Sequence, residues 1–298
     1  MDDAPLDLPA YARRIGHAAP FAPTLEGLHA ITALHPRAIP FENIDPLVGR
    51  VPRLDTASLQ AKLVLGGRGG YCFEQNGLLL AVLRQCGFDV RPREARVRSG
   101  VAPDVETGRT HMALEVRLRG EHWLVDVGFG RSPSAPLRLA SRDEQTDGTG
   151  RFRFVAITDE SAGLSAGMAP AKPSPLCSGE ALMLQARTHE GWVDSYLLLP
   201  SAPAQVDREI GNWFVATHPG SHLRRNLLVA RAGDRGRTIL YNRRLSLQAR
   251  ADEPPRVSEI DSHAALRDVL ADTFGLRPSK DDLEAIVAAL DRLDSAGP

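Results

Sequence analysis

The sequence predicts an α+β protein in which helices come first, strands follow, and helices and strands mix towards the end of the chain. The segment 1–90 carries helical periodicity, as over 24–35. The apolar residues of that stretch share one helical face: Leu25, Leu28, Ile31 and Leu34. From about residue 90, apolar and polar residues alternate as in strands, most clearly over 111–130. Two amphipathic helices, 263–275 and 280–293, follow later in the chain.

Composition and charge restrict the classes of function. A chain of 298 residues can form two or three small domains, and 43% hydrophobic with 24% charged residues is typical of a globular protein. The net charge of −1 predicts no strong attraction to nucleic acid or to an anionic membrane. The acidic first residues argue against a signal peptide. The longest purely apolar stretch, 78–83, is far too short to span a bilayer.

The cysteines Cys72, Cys86 and Cys177 are too few for a disulfide framework, and their odd number also argues against one. They predict a reducing, cytoplasmic location. Cys86 and Cys177 are expected to be structural, because neither lies in a context suited to reactivity. In a helix over 72–86, the first two cysteines would be about 21 Å apart at ~1.5 Å per residue, which is too far for a disulfide.

The segment 72–87 predicts a helix that is apolar nearly all round and is therefore buried at the centre of its domain. It follows a glycine cluster over 66–70 and stops near Gly87. The preceding helix, 55–65, is expected to begin with Asp55 as its N-cap.

Cys72 falls in the first turn of this predicted helix, a position that suits a nucleophile. A thiol attacks as the thiolate, and a helix N-terminus favours that anion. The preceding glycines let a substrate approach closely, and the backbone N–H groups of the first turn can stabilise an oxyanion. The alternative is that Cys72 is a small buried hydrophobe, which is the commoner role of a cysteine in an apolar helix.

The segment 111–130 predicts a β-hairpin with a defined register. A two-residue turn at Arg119-Gly120 places Leu118 opposite Glu121. One face would then be almost wholly apolar and would hold Met112, Leu114, Val116, Leu118, Trp123, Val125, Val127 and Phe129. The other face would bring His111 and Asp126 together as diagonal neighbours, roughly 7–8 Å apart at the backbone. His122, which lies beside the turn on that face, is expected to be solvated.

Further strands are predicted later in the chain. A second hairpin is expected over 181–199, with its turn near Glu190-Gly191. The region after residue 205 is mixed. Strands are expected over 222–233 and 236–252, and the first of these could begin as a helix.

Cys72, His111 and Asp126 offer a nucleophile, a base and a carboxylate that orients the base. A strand histidine alone is more often structural, whereas an aspartate between two valines needs a partner for its carboxylate. A zinc site is disfavoured because the sequence has no CxxC pair. The glycine cluster is not a P-loop, since no GK[ST] follows it.

Four segments resemble the signature segments of the arylamine N-acetyltransferases, in order and with fitting spacing: 39–45 (IPFENID), 68–77 (RGGYCFEQNG), 109–116 (RTHMALEV) and 123–130 (WLVDVGFG). The segment 212–231 resembles the third-domain segment of that family more loosely. The resemblance implies a helical bundle over 1–90 that carries the nucleophile and a β-barrel over 91–205 that carries the histidine and aspartate. It also implies an α/β lid over 206–298 and a papain-like Cys-His-Asp core.

The resemblance further implies a catalytic triad of Cys72, His111 and Asp126, with no metal. It implies acetyl-CoA as co-substrate, an arylamine or arylhydrazine as acceptor, and a ping-pong mechanism through an acetyl-cysteine. The expected substrate-binding residues are Phe41, Thr110, Gly128, Phe129, Gly130 and Phe214. His218 is a further candidate for a pocket or cofactor contact. The motif residues expected to be structural are Arg68, Glu42 and Asn76, with Arg68 bracing the loop before the cysteine.

Three alternative functions remain open from the sequence. An amide synthase that closes a macrolactam would use the same triad with a carrier-bound acyl donor. A papain-like or transglutaminase-like cysteine hydrolase would share the triad geometry. A catalytically silent binding protein is disfavoured because all three triad positions are intact.

Overall fold

Helices occupy most of the chain before residue 88 and return after residue 204, with strands between and among them. The computed structural model describes residues 5–18, 21–102, 104–148, 150–157, 181–234, 236–250 and 253–296. Cys177, predicted to be structural, lies outside the described residues. The α-helices are α1 Leu8–Ile15, α2 Leu25–Ala38, α3 Ile44–Leu47, α4 Thr56–Leu59, α5 Cys72–Gln85, α6 Gln205–Thr217, α7 His222–Arg225, α8 His263–Asp268 and α9 Lys280–Ala296. Helices α4 and α8 continue directly as the π-helical segments Gln60–Leu65 and Val269–Thr273.

The strands form two sheets. They are β1 Phe41–Glu42, β2 Asp89–Val97, β3 His111–Leu118, β4 Glu121–Val125, β5 Leu137–Arg138, β6 Gln145–Thr146, β7 Arg151–Ala156, β8 Leu182–Thr188, β9 Gly191–Leu198, β10 Leu228–Gly233, β11 Gly236–Tyr241, β12 Arg244–Gln248 and β13 Arg256–Glu259. Eight of them form a barrel-like antiparallel sheet in the order β5-β4-β3-β2-β9-β8-β7-β6. The other five form a second sheet in the order β1-β10-β11-β12-β13.

Helix α5 is the centre of the N-terminal part, as the sequence predicted. It begins at Cys72, ends at Gln85, and buries most of its side chains against the other helices and the β3–β4 hairpin. Two of its leucines, Leu78 and Leu79, are completely buried. The predicted N-cap is also confirmed, because Asp55 Oδ1 accepts a hydrogen bond from the backbone N–H of Ser58 at 2.9 Å.

The β3–β4 hairpin has the predicted register. Leu118 lies opposite Glu121. The turn residues Arg119 and Gly120 have φ values of 51° and 81°, which is the left-handed pair that a two-residue turn between twisted strands requires. The confirmed turn fixes which side chains of the hairpin face α5.

The predicted division of the hairpin into an apolar and a polar face is only partly correct. The face with Leu114 and Val125 packs on α5. Phe129 does not continue that face, because β4 ends at Val125 and the chain turns away. It packs instead in a second apolar cluster inside the barrel-like sheet, beside Ala113 and Leu124. The supposed polar face is therefore also largely buried.

The second sheet joins distant parts of the chain. Strand β1 pairs with β10, so that Phe41 lies opposite Ala230.

The predicted hairpin over 181–199 is confirmed in the eight-stranded sheet, with Thr188 opposite Gly191. The mixed region after residue 205 contains α6, and the stretch from residue 222 begins with the short helix α7 before β10. None of the described helices combines the length and apolar composition that crossing a membrane requires.

Candidate active site

Cys72 is the first residue of α5 and is buried, with its Sγ 3.6 Å from the carbonyl oxygen of Thr110. The start of the helix is held by Glu74, whose carboxylate accepts from the backbone N–H of Tyr71 at 3.2 Å and from Lys62 Nζ at 2.6 Å. Burial raises the pKa of Glu74 to about 7, although Lys62 acts in the opposite direction. Cys86 lies at the other end of α5, and both cysteines are free thiols.

The loop before Cys72 is braced by a buried ion pair. Arg68 donates from Nε and Nη2 to Glu42 Oε1 at 2.9 and 2.7 Å, and Glu42 is completely inaccessible to solvent. Asp45 extends this cluster through Lys62, which lies 2.6 Å from its carboxylate. The prediction that Arg68 braces the loop is thereby confirmed.

His111 begins strand β3 and lies between the thiol and a carboxylate. Its Nε2 is 2.8 Å from Asp126 Oδ2, which leaves Nδ1 for the Cys72 thiol. Burial alone would lower the pKa of His111. The charge of Asp126 and hydrogen bonds to Asp126 and Cys72 outweigh burial and raise that pKa to about 10. The imidazole therefore holds its second proton strongly at neutral pH.

Asp126 is buried immediately after β4 and is fully hydrogen-bonded. Its second oxygen, Oδ1, accepts from Asn76 Nδ2 at 2.9 Å and from the Gly128 backbone N–H at 2.8 Å. Burial would raise the pKa of Asp126, but the charge of His111 and the hydrogen bonds from His111, Asn76 and Gly128 lower it. The carboxylate of Asp126 thus stays ionised beside the imidazole.

Three aromatic rings meet at this point. The His111 ring centroid lies 5.1 Å from that of Phe129 and 4.8 Å from that of Tyr196, and the latter two are 5.0 Å apart. Burial and the Asp126 carboxylate raise the pKa of the Tyr196 hydroxyl well above its usual value. Tyr196 was not among the residues predicted for the site. The period-two pattern of β9, with Tyr196 two residues before the buried Leu198, is the signal that could have shown it facing inward.

A cavity of about 750 Å³ opens onto Cys72 and His111. Its lining includes all six residues predicted to bind substrate: Phe41, Thr110, Gly128, Phe129, Gly130 and Phe214. Asp126 lies behind the histidine and does not line it. His218 is also outside the lining, where its ring stacks on Phe214 with centroids 4.4 Å apart.

Much of the remaining cavity wall consists of residues that were not predicted from the sequence. Apolar residues of this wall come from β2, the following loop, α6, α7 and the second sheet: Val97, Val101, Val215, Leu223, Leu228, Ala230, Ile239 and Tyr241. Besides His111, the ionisable nitrogen groups among the lining residues are Arg131 and His222, and the described lining contains no carboxylate side chain. The cavity is therefore mainly apolar, with the Cys72 thiol in its wall.

A metal centre finds no support in the part of the chain that the structure describes, where no group of three or more His, Cys, Asp and Glu side chains could hold an ion. The described site combines a buried thiol and an imidazole, both of which line the cavity, with a buried carboxylate that is hydrogen-bonded to the imidazole. This arrangement can transfer an acyl group through a covalent thioester.

Comparison with known proteins identifies the family. A family model described as N-acetyltransferase matches residues 24–283. The arylamine N-acetyltransferase of Mycolicibacterium smegmatis is 36% identical over 277 residues, covering 91% of this chain and 92% of that protein. The arylamine N-acetyltransferase / N-hydroxyarylamine O-acetyltransferase of Salmonella typhimurium is 35% identical, covering 97% of this chain and 98% of that protein.

A solved structure agrees with these sequence matches. The Mycobacterium marinum arylamine N-acetyltransferase in complex with CoA has a TM-score of 0.83 and 34% identity, covering 96% of this chain and 99% of that one. The structural similarity, the family model and the sequence relatives all indicate the same family. The chain therefore belongs to the arylamine N-acetyltransferase family and is an acetyltransferase.

Proposed function

We propose that this enzyme transfers an acetyl group from acetyl-CoA to arylamines and arylhydrazines by a ping-pong mechanism through acetyl-Cys72. The observation that carries the proposal is that Cys72 and His111 line an apolar cavity of about 750 Å³, while Asp126 is hydrogen-bonded to His111 at 2.8 Å. A cavity of this size suits a ligand with an aromatic ring and an extended chain. The structure of the relative from Mycobacterium marinum was solved in complex with CoA, which supports acetyl-CoA as the acetyl donor.

The first half-reaction acylates the thiol. The proton shared by Cys72 and His111 lies on the imidazole, whose pKa is about 10, and the Cys72 thiolate attacks the thioester carbon. The tetrahedral oxyanion is stabilised by backbone N–H groups in the first turn of α5. Its collapse breaks the bond to the sulfur of CoA, which takes the proton from His111 and leaves as a thiol. Asp126 holds the imidazole in position and stabilises its positive charge throughout.

The second half-reaction consumes the acetyl-enzyme. The amine nitrogen attacks the carbonyl carbon of acetyl-Cys72, and His111 accepts the proton that the nitrogen loses. Collapse of the second tetrahedral intermediate releases the amide and returns the Cys72–His111 pair. An arylamine is mostly neutral at pH 7 and is already nucleophilic, whereas an alkylamine is mostly protonated. The aromatic side chains of Phe41, Phe129 and Phe214 in the cavity wall also favour an aromatic acceptor.

We assign the parts of the chain accordingly. The helical segment 1–90 supplies the nucleophile, the strand-rich segment 91–205 supplies His111 and Asp126, and the segment 206–298 covers the cavity as an α/β lid. This assignment places a papain-like Cys-His-Asp core at the junction of the first two parts. It is supported by α5 packing against the β3–β4 hairpin.

Intact-protein mass spectrometry tests this proposal. Incubation with acetyl-CoA is expected to add one acetyl group, which peptide mapping locates on Cys72, and an arylamine is expected to remove it as the amide. Cys72→Ser should remain unlabelled, while the matched control Cys86→Ser should be labelled like the parent. Labelling of Cys72→Ser would refute the mechanism. Release of free acetate at the same rate with and without the arylamine would instead indicate a hydrolase.

A further inference from the structure

The loop 126–132 connects Asp126 to the cavity wall and is held from two sides. On the inner side, Asn76 Oδ1 accepts from the Val127 N–H at 3.1 Å, and Asp126 Oδ1 accepts from the Gly128 N–H at 2.8 Å. These bonds tie the first half of the loop to α5 and to the proposed triad. The second half of the loop, from Phe129 onward, lies beyond them.

The second half of the loop is held by one guanidinium from the second sheet. Arg237 on β11 donates from Nη1 to the carbonyl oxygen of Gly130 at 2.7 Å and from Nη2 to that of Ser132 at 2.6 Å. Ser132 in turn accepts, through its Oγ, from the Phe129 N–H at 2.8 Å. The planar fork of an arginine holds two donors in a fixed geometry, which the single flexible ammonium of a lysine does not reproduce.

Strand β11 presents this guanidinium on the side that faces the cavity. Residues two apart on a strand lie on the same face, and the next two residues on that face, Ile239 and Tyr241, both line the cavity. Arg237 itself is absent from the lining, because its guanidinium is bound to the backbone of the loop. It therefore acts on the cavity through the carbonyl of Gly130, a lining residue, and through Ser132, which binds the N–H of the lining residue Phe129.

We propose that Arg237 is a positioning residue for acceptor binding: its fork on the carbonyls of Gly130 and Ser132 fixes the Phe129 wall against which the arylamine ring sits. The inference rests on the proposed function. Because the inner half of the loop is fixed independently by Asn76, loss of Arg237 loosens the wall and leaves the Cys72–His111–Asp126 line in place.

The test compares Arg237→Met with Arg237→Lys and with a matched control, Arg256→Met, which removes an exposed arginine from the edge strand β13 of the same sheet. Each variant is measured for kcat and KM towards an arylamine at saturating acetyl-CoA. The rate at which iodoacetamide alkylates Cys72 reports the thiol and imidazole separately, because this small reagent does not need the acceptor wall. The melting temperature is recorded for each variant.

Arg237→Met is expected to raise the KM for the arylamine about tenfold or more, with kcat and the alkylation rate within about twofold of the parent. Arg237→Lys, which keeps the charge but loses the planar fork, should give an intermediate KM, and Arg256→Met should match the parent. An unchanged KM in Arg237→Met, or an alkylation rate that falls by the same factor as KM rises, would overturn the proposal. If Arg237→Met does not fold, a parental KM in Arg237→Lys would overturn it. Failure of the parent enzyme to acetylate any arylamine would refute the proposed function instead.

Discussion

Asn76 Nδ2 lies 2.9 Å from Asp126 Oδ1, so the helix that begins with the nucleophile also holds the carboxylate at the far end of the proposed triad. Cys72 and Asn76 are four residues apart and therefore lie on the same face of α5. The imidazole of His111 is placed between two groups whose spacing is set by a single helix. We therefore expect a substitution at Asp126 to change the pKa of His111.

Replacing Asp126 by Asn tests this coupling. In the parent, turnover should fall as pH rises through about 10, because His111 then loses the proton that it gives to the departing CoA. Removing the carboxylate charge lowers the pKa of His111, so this fall should move to lower pH. At pH 7, kcat/KM should drop by about 100-fold or more. A pH–rate profile of CoA release checks both effects, with the exposed Asp143→Asn as control.

A profile for Asp126→Asn that falls at the same pH as the parent would contradict the assignment of the basic limb to His111. A parental profile is expected for Asp143→Asn, since that side chain lies on the surface.

Gly128→Ala should impair both activity and stability. A Cβ at this position would lie 2.8 Å from Cys72 Cα and 3.1 Å from its carbonyl oxygen, which are backbone atoms that cannot move aside. We expect a loss of roughly 1–3 kcal/mol in the free energy of unfolding, together with slower alkylation of Cys72. Gly233→Ala is the matched control, because its nearest contact would be an ordinary 3.5 Å. Urea unfolding and iodoacetamide kinetics measure the two effects. Equal behaviour of both variants would show that the close approach is unimportant.

Arg68→Met should be strongly destabilising. It leaves Glu42 buried without its cation, and breaking a buried pair on one side costs about 3–5 kcal/mol. Arg53→Met removes one partner of an exposed pair with Asp55 and should cost less than about 1 kcal/mol. Calorimetry or urea unfolding compares them. The double variant Arg68→Met/Glu42→Gln should recover part of the loss, and no recovery would contradict the buried-charge explanation.

Stability should fall between pH 6.5 and 4 through His35. Burial lowers the pKa of this histidine to about 4, with Arg14 adding to the effect and the hydrogen bond to Gln75 opposing it. The unfolded chain gains the proton near pH 6.5, so the stabilisation is present above that pH and is lost as pH falls through 4. The loss amounts to roughly 3 kcal/mol, at about 1.4 kcal/mol per pKa unit.

Urea unfolding of the parent and of His35→Gln at pH 7 and 4.5 measures this contribution. The variant should be less stable at pH 7 and should lose less stability on acidification. An identical pH dependence in both proteins would assign the acid sensitivity to other groups.

The parts of the fold that the sequence predicted are those fixed by local patterns. Helix α5, the Asp55 cap and the β3–β4 register each depend on residues close together in the chain, where periodicity and turn chemistry decide the structure. The same register is sufficient to predict that His111 lies near Asp126. The face of Phe129 was predicted wrongly because a strand pattern does not reveal that β4 ends at Val125.

The parts that the sequence did not predict depend on contacts between distant residues. Strand β1 has only two residues and therefore no readable period, so its pairing with β10 could not be seen. The bond from Arg237 to Gly130 spans 107 residues, and an arginine in a strand carries no signal for its acceptor. The inward direction of Tyr196 was present in the alternation of β9, but its position beside His111 required the sheet order.

The pairing of β1 with β10 has a consequence for synthesis of the protein on the ribosome. All three proposed catalytic side chains have been made once residue 126 emerges, yet Ala230, Ile239 and Tyr241 of the cavity wall follow more than about 100 residues later. A nascent chain therefore carries its nucleophile before it has a closed pocket, because N-terminal parts emerge first. We therefore expect selective chemistry at the thiol only after β10 has paired with β1 and brought β11 to the cavity.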